Sequence, residues 1–209
     1  MAPSPSKTTA KSHATPVGAQ SDSDDEGTFA TLRKAVTHKQ ERAWSHRGNI
    51  DVYRRMSRTE TPNPEVDHII EIQILDHVWR EFVHKQLGGG ATSDAPLRAQ
   101  REHVETAANE LANLNVTTHE INQKKKGPFT TWRNQLDPRD GKALRVRSLD
   151  QLCRTSHPEF AAKPVWQNIL KAVEHSRDDV VALWRQADDP RMSAFVDSFE
   201  DAFQRLGFN

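Results

Sequence analysis

The sequence predicts an α+β protein that is predominantly α-helical, and three observations predict it. Apolar residues recur every three or four positions through most of the chain after residue 28, as on one face of a helix. Short stretches typical of strands occur only in the middle of the chain. Clusters of glycine and proline separate these stretches as loops and turns. We therefore expect a mainly helical fold with a small central β component.

The first half of the chain contains the following predicted elements. A helix is expected near residues 28–45, and a proline-containing loop at 59–64. An Ile- and Val-rich segment at 66–75 leads into an amphipathic helix at 75–87, which three consecutive glycines end. After a short loop, a weakly apolar helix is expected at 97–111.

The second half begins with a short strand or hairpin arm at residues 113–118. A helix follows at 119–133, and we expect it to be broken or to end near Gly127 and Pro128. A turn at 138–142 precedes an alternating apolar and basic segment at 143–149, which predicts a half-exposed strand. The last third is helical, with predicted helices at 163–175, 178–186 and 192–206.

The domain organisation follows from composition. Residues 1–27 are almost entirely small, polar or charged and end in an acidic run, so they cannot bury enough apolar surface to offset the entropy of ordering. We expect a disordered low-complexity tail there. Residues 28–209 are then a single domain that ends in C-terminal helices at about 160–207.

Charge is balanced over the chain as a whole but not locally. The 29 basic and 29 acidic residues give a net charge of zero, which argues against a histone-like binder held mainly by charge. The segment 124–147, however, holds eight basic residues and two acidic ones. Such a local excess predicts a surface that binds phosphate groups.

Three further features limit the class of protein. The single cysteine excludes an internal disulfide and a cysteine-based zinc site. No apolar run is long enough to span a membrane, and no apolar segment typical of a secretory signal follows the first residues. These features predict a soluble protein of the cytoplasm or nucleus with no membrane partner. They leave open an effector delivered to another cell, and they do not predict an oligomeric state.

Polar residues in the middle of the chain form an ordered pattern. Asp67 directly precedes His68, an Asn-Leu pair begins at Asn113, Asn122 follows nine residues later, and Lys125 three residues after that. In this order and spacing the residues resemble the HNH family of ββα-metal endonucleases, in the variant with Asn at the last motif position. The resemblance extends over about 65 residues.

The resemblance implies a fold and a set of roles. It implies a two-stranded hairpin followed by a helix, at about residues 64–134, around a single divalent cation. Asp67 and Asn122 would bind the metal, and their hard oxygen atoms favour Mg²⁺, with Mn²⁺ or another divalent cation possible. His68 would be the general base of catalysis. Asn113 would brace the loop and orient His68.

Further residues are candidates for the same site. The resemblance and the local basic excess imply that Lys125 binds the substrate phosphate, together with Lys124, Lys126 and Arg133. The candidates for residues that line the site are Glu71, Gln73 and His119. The alternative for Glu71 and Gln73 is that they face solvent. For His119 the alternative is a helix residue with no functional role.

Together these features predict a metal-dependent endonuclease that hydrolyses phosphodiester bonds, with DNA favoured over RNA and with weak sequence preference. The 44 residues between His68 and Asn113 require a helical insertion within the motif. Two alternatives remain. One is a catalytically inactive HNH-fold module that binds nucleic acid or protein; the other is a helical interaction module in which the motif match is accidental.

Overall fold

The computed structural model describes residues 29, 31–89, 93–136 and 146–208, and it is mostly helical. The helices are α1 (Leu32–Ala35), α2 (Gln40–His46), α3 (Ile72–Leu87), α4 (Arg98–Ala108), α5 (His119–Leu136), α6 (Leu149–Ser156), α7 (Pro158–Ala161), α8 (Pro164–Arg185) and α9 (Pro190–Leu206). The strands are β1 (Ile50–Asp51), β2 (Met56–Ser57), β3 (Pro64–His68) and β4 (Leu114–Thr118). The predicted class, α+β and mainly α, is confirmed. The predicted tail lies outside the described residues.

The strands form two small antiparallel sheets. In the first, β1 pairs with β2. In the second, β3 pairs with β4 over five residues, so that Asp67 lies opposite Asn115 and His68 opposite Leu114. Helix α5 begins directly after β4, with no intervening loop. The strand that carries Asp67 and His68 is therefore paired with the strand that leads into α5.

Helices α3 and α4 lie in the chain between the paired strands β3 and β4. The two helices predicted between His68 and Asn113, at 75–87 and 97–111, are thus present as α3 and α4. None of the helices in the described ranges is both long enough and apolar enough to cross a membrane.

The main core is aromatic and lies where α3, α8 and α9 meet. Trp184 of α8 packs edge-to-face on Phe195 and Phe199 of α9, at ring-centroid distances of 5.1 and 4.7 Å. Phe82 of α3 packs on Phe195 at 5.6 Å. The helical spacing of these aromatic residues is what brings them to one buried face. A smaller apolar cluster, which includes Trp44 and Val116, packs α2 against β4.

Two predicted helix boundaries are wrong. Helix α5 continues through Gly127 and Pro128, although proline removes one intrahelical hydrogen bond. Pro128 is buried together with Phe129 and Trp132, and this packing outweighs the missing bond. Likewise, α8 is one helix where two were predicted, at 163–175 and 178–186, because no glycine or proline interrupts the residues between them.

Two other predicted elements, at 28–45 and 143–149, differ from the structure. The helix predicted at 28–45 is two shorter α-helices, α1 and α2, joined by a 3₁₀ turn at Thr37–Lys39. The strand predicted at 143–149 lies partly outside the described residues. Its described part is not a strand, because residue 149 already begins α6. A capping box could have predicted that helix: the Ser148 hydroxyl accepts from the Gln151 amide, and the Gln151 side chain accepts from the Ser148 amide.

Candidate functional site

Strand β3 and helix α5 form the walls of a cleft of about 320 Å³. Each element contributes residues that the sequence analysis singled out. The polar and charged lining residues include Glu65, Asp67, His68, Glu71, Asn122, Gln123 and Lys126. The structure thus brings the predicted strand residues and the predicted helix residue into one cleft.

Asp67 is almost fully buried, and its side chain is held by hydrogen bonds to one of its two carboxylate oxygens. Its Oδ2 atom accepts hydrogen bonds from the Tyr53 hydroxyl at 2.7 Å and from the Lys125 ammonium group at 2.5 Å. Burial raises the pKa of the Tyr53 hydroxyl well above its usual value, and the negative charge of Asp67 raises it further, so Tyr53 remains a donor. Since both of these bonds end on Oδ2, Oδ1 is the carboxylate oxygen that remains for a ligand within the described part of the chain.

His68 lies next to Asp67 and is held through its ring. The Nε2 atom lies 3.0 Å from the side-chain oxygen of Asn109, which follows the last residue of α4. The backbone oxygen of Asn109 accepts in turn from the Lys39 ammonium group at 2.7 Å. Asn109 therefore orients the His68 ring, and it is itself held by the N-terminal part of the domain.

Asn113 is fully buried and braces the loop that follows β3. Its Oδ1 atom accepts from the backbone amide of Ile70 at 2.8 Å, and its Nδ2 atom donates to the backbone oxygen of Ala108 at 2.9 Å. The backbone oxygen of Asn113 also accepts from the amide of Ile69. These bonds fix the backbone just after His68, so Asn113 supports the C-terminal end of β3.

Asn122 projects from the first turn of α5 into the cleft. Its Nδ2 atom donates to the Glu65 carboxylate at 3.1 Å. Its Oδ1 atom is buried and accepts no hydrogen bond from the described residues. A buried polar atom without a partner is costly, at about 1–3 kcal/mol, which suits an oxygen that binds a ligand. Glu65 also bonds with the His119 ring at 2.7 Å, so His119 is tied to the rim of the cleft.

The prediction that Lys125 binds the substrate phosphate is wrong. Its side chain is completely buried, on the face of α5 that also buries Phe129 and Trp132. The ammonium group donates to Asp67, to Tyr53 at 3.2 Å and to the backbone oxygen of His68. Lys125 cannot reach a substrate because its charge is used inside the protein.

The other basic residues of α5 divide into two groups. Lys124 is exposed and forms an ion pair with Glu120 at 2.6 Å, away from the cleft. Lys126 lines the cleft, and Arg133 follows seven residues later on the same face of the helix. Both are partly exposed and form no ion pair within the described ranges. Of the four residues predicted to bind phosphate, Lys126 and Arg133 are therefore available to contact a phosphate group.

The two remaining candidates differ in position. Glu71 lines the cleft and lies 3.1 Å from the Lys125 ammonium group, with which it forms an ion pair. Gln73 is buried and lies within hydrogen-bond distance of the Thr130 hydroxyl, at 3.4 Å. Glu71 is therefore part of the cleft, whereas Gln73 joins α3 to α5.

The carboxylate and amide side chains in the cleft offer oxygen ligands, and no cysteine is among the described lining residues. Within the described ranges, no group of three or more His, Cys, Asp or Glu side chains is arranged to bind a metal ion. Mg²⁺ needs fewer protein ligands, because it usually retains several waters and takes one or two carboxylates. Asp67 Oδ1 and the unpartnered Asn122 Oδ1 fit such an ion, whereas they do not fit a closed zinc site.

Two residues of the site were not predicted from the sequence. Tyr53 lies in the turn between β1 and β2, and Asn109 at the end of α4. Asn109 is 41 residues from His68, its hydrogen-bond partner, and Tyr53 is 14 residues from Asp67. Neither residue belongs to a periodic pattern or to the motif, so the sequence carried no signal for their roles.

The chain matches no protein-family model, no curated protein and no solved structure.

Proposed function

We propose that this chain is a metal-dependent endonuclease of the HNH kind, in which β3, β4 and α5 are the ββα-metal motif. One observation carries the proposal: Asp67 and His68 from a strand and Asn122 from a helix line the same cleft. The substrate is nucleic acid, with DNA favoured, and we expect weak sequence preference because the sequence contains no recognisable helix-turn-helix or zinc-finger motif that would read base edges.

The proposed chemistry assigns one role to each residue. Asp67 and Asn122 hold a divalent cation, favoured to be Mg²⁺, which when bound stabilises negative charge on the phosphate oxygens. His68 takes a proton from the water that attacks phosphorus, and the bond from phosphorus to the leaving oxygen breaks. Asn109 keeps the His68 ring in one orientation, and Asn113 fixes the backbone behind it.

Metal dependence is the first expected result. The purified chain with Mg²⁺ or Mn²⁺ should convert supercoiled plasmid to nicked and linear forms, because the attacking water and the leaving oxygen need charge stabilisation. EDTA should stop the reaction, and excess Mg²⁺ should restore it. Parallel assays on single-stranded DNA and on RNA identify the favoured substrate. Absence of cleavage with Mg²⁺, Mn²⁺, Ca²⁺ and Zn²⁺ would contradict the proposal.

The basic face of α5 gives a second expected result. The double variant Lys126→Ala/Arg133→Ala should bind duplex DNA more weakly, and the slope of log affinity against log salt should fall by about 2, since each lost phosphate contact accounts for about 0.9. The control is Lys124→Ala, which removes one positive charge from the same helix, where it forms an ion pair with Glu120. A loss of affinity in the control equal to half of that in the double variant would show that only the overall charge matters.

A specific contact favours a second candidate function, a catalytically inactive module of the same fold that binds nucleic acid or protein. The Lys125 ammonium group already forms an ion pair with Asp67, and it competes there with a divalent cation. Salt-dependent DNA binding without cleavage under any of the four metals would favour this candidate. Cleavage that His68→Ala removes would exclude it.

A further inference from the structure

Lys125 lies at the centre of a shell of oxygen atoms. Its Nζ atom is 2.5 Å from Asp67 Oδ2, 3.1 Å from Glu71 Oε1 and 3.2 Å from the Tyr53 hydroxyl oxygen. The backbone oxygens of His68 and Ile69 complete the shell. Five oxygen atoms around one buried positive charge form an environment that is typical of a bound cation.

The charges of this shell require a cation. Asp67 and Glu71 are both almost fully buried, and Lys125 forms an ion pair with each of them. The rings of Tyr53 and Phe129, with centroids 5.3 and 6.0 Å from Nζ, add favourable cation–π contacts. A buried carboxylate that loses its partner is strongly destabilising, so the ammonium group is an integral part of this region.

The shell shares residues with the cleft. Asp67 and Glu71 line the cleft and also contact Lys125. Lys125 lies three residues after Asn122, which places the two side chains within one turn of α5. The ammonium group and a divalent cation in the cleft would therefore compete for the negative charge of Asp67.

We propose that the Lys125 ammonium group, which forms an ion pair with Asp67, lowers the affinity of Asp67 for a divalent cation in the cleft. This inference rests on the proposed function, because the proposed function assigns the metal to Asp67 and Asn122. In this arrangement the Lys125 ammonium group holds Oδ2 of Asp67, and only Oδ1 is left for the metal. Lys125 is thus a positioning residue that sets metal affinity, without contact to the substrate.

The test is the affinity for Mn²⁺ alone, measured by isothermal titration calorimetry on the full chain. Lys125→Met keeps the length of the side chain and removes its charge, so Asp67 loses its nearest cation. We expect the variant to bind Mn²⁺ about tenfold more tightly than the wild-type chain. We also expect Mn²⁺ to raise the melting temperature of the variant more than that of the wild type. Damage to the structure alone would weaken binding, so the sign of the change is diagnostic.

Two further variants make the test independent of folding and of overall charge. Lys124→Met removes an exposed, ion-paired lysine from the same helix and should leave Mn²⁺ affinity unchanged. Lys125→Met/Glu71→Gln removes one positive and one negative charge, which leaves the net charge of the buried cluster unchanged if the single variant does not fold. It should also bind Mn²⁺ more tightly than the wild type, because Asp67 again lacks the ammonium group.

The outcomes separate this inference from the proposed function. Unchanged or weaker Mn²⁺ affinity in a folded variant overturns the role of Lys125, and a wild-type chain that still cleaves DNA leaves the nuclease proposal standing. If the wild type neither binds Mn²⁺ nor cleaves DNA but the Lys125 variants bind it, the inference stands and the nuclease proposal fails. If no variant binds Mn²⁺, the divalent-cation site itself is absent and both are overturned.

Discussion

Replacement of His68 by alanine is expected to lower the rate of phosphodiester cleavage by about 10²–10⁴-fold, which is the usual contribution of a positioned general base. The effect on folding should be much smaller. Loss of the hydrogen bond between the His68 ring and Asn109 is expected to lower the free energy of unfolding by about 1–2 kcal/mol. The measurements are the initial rate of plasmid nicking with Mg²⁺ and the unfolding curve in urea.

A matched histidine provides the control. His175 lies on α8, is exposed and bonds with the backbone oxygen of Lys171 one turn earlier. His175→Ala changes the same side chain and should leave the cleavage rate within a factor of about two of the wild type. Full activity of His68→Ala would remove His68 from the mechanism. Loss of activity together with loss of the folded state would show instead that His68 is structural.

The hydrogen bond to Asn109 can be tested separately from the chemistry. Asn109→Ala removes the side chain that orients the His68 ring but leaves the imidazole in place. We expect an intermediate loss of the cleavage rate, smaller than that of His68→Ala, because the base remains but is less often in position. A loss equal to that of His68→Ala would mean that the orientation of the ring is as important as its presence.

The part of the site that could be predicted from the sequence is the part that is local in the chain. Asn113 and Asn122 are joined by β4 and the first turn of α5 with no loop between them, so a spacing of nine residues fixes their relation. Asp67 is neighbour to His68, and β3 pairs with β4 directly. Motif spacing is informative here because few backbone conformations separate the residues.

Lys125, about one helical turn after Asn122, shows where motif spacing gave a wrong prediction. Consecutive residues of an α-helix point about 100° apart, so Lys124, Lys125 and Lys126 face three different directions. The sequence shows a basic run but not which member faces the core. In the structure that member is Lys125, because the buried face of α5 also contains Phe129 and Trp132. The motif resemblance and the local basic excess predicted a phosphate-binding role for a residue whose partners are buried carboxylates.

The β1–β2 hairpin was missed for a different reason. Its strands have only two residues each, too few for an alternating pattern to be recognised. The hairpin nevertheless brings Tyr53 to Asp67, and it is joined to β4 by the buried residue Asp51. Its place in the fold depends on tertiary hydrogen bonds between residues more than 60 positions apart, which no local sequence pattern encodes.

Replacement of Asp51 by alanine should therefore have the largest effect on stability among the polar residues around the site. The carboxylate is fully buried and accepts from the Tyr53 amide at 3.0 Å, from Asn115 Nδ2 at 3.0 Å and from the Thr117 hydroxyl at 2.8 Å. Alanine would leave these three donors without their acceptor in the interior. Since a hydrogen bond to a charged group contributes about 1.5–3 kcal/mol and such losses are not additive, we expect unfolding to cost about 3–5 kcal/mol less. The measurement is the free energy of unfolding in urea.

The position of Asp51 also links stability to the cleft. Asp51 binds the backbone of Tyr53, and Tyr53 donates to Asp67, so a displaced hairpin would release one of the bonds that orient the proposed metal ligand. We expect Asp51→Ala to weaken Mn²⁺ binding even at temperatures where the chain remains folded. The control is Glu41→Ala, which removes a carboxylate from an exposed ion pair with Arg58 and should change neither property. A folded Asp51→Ala chain with wild-type stability would show that water or neighbouring side chains satisfy the three donors, and that the hairpin is held mainly by apolar packing.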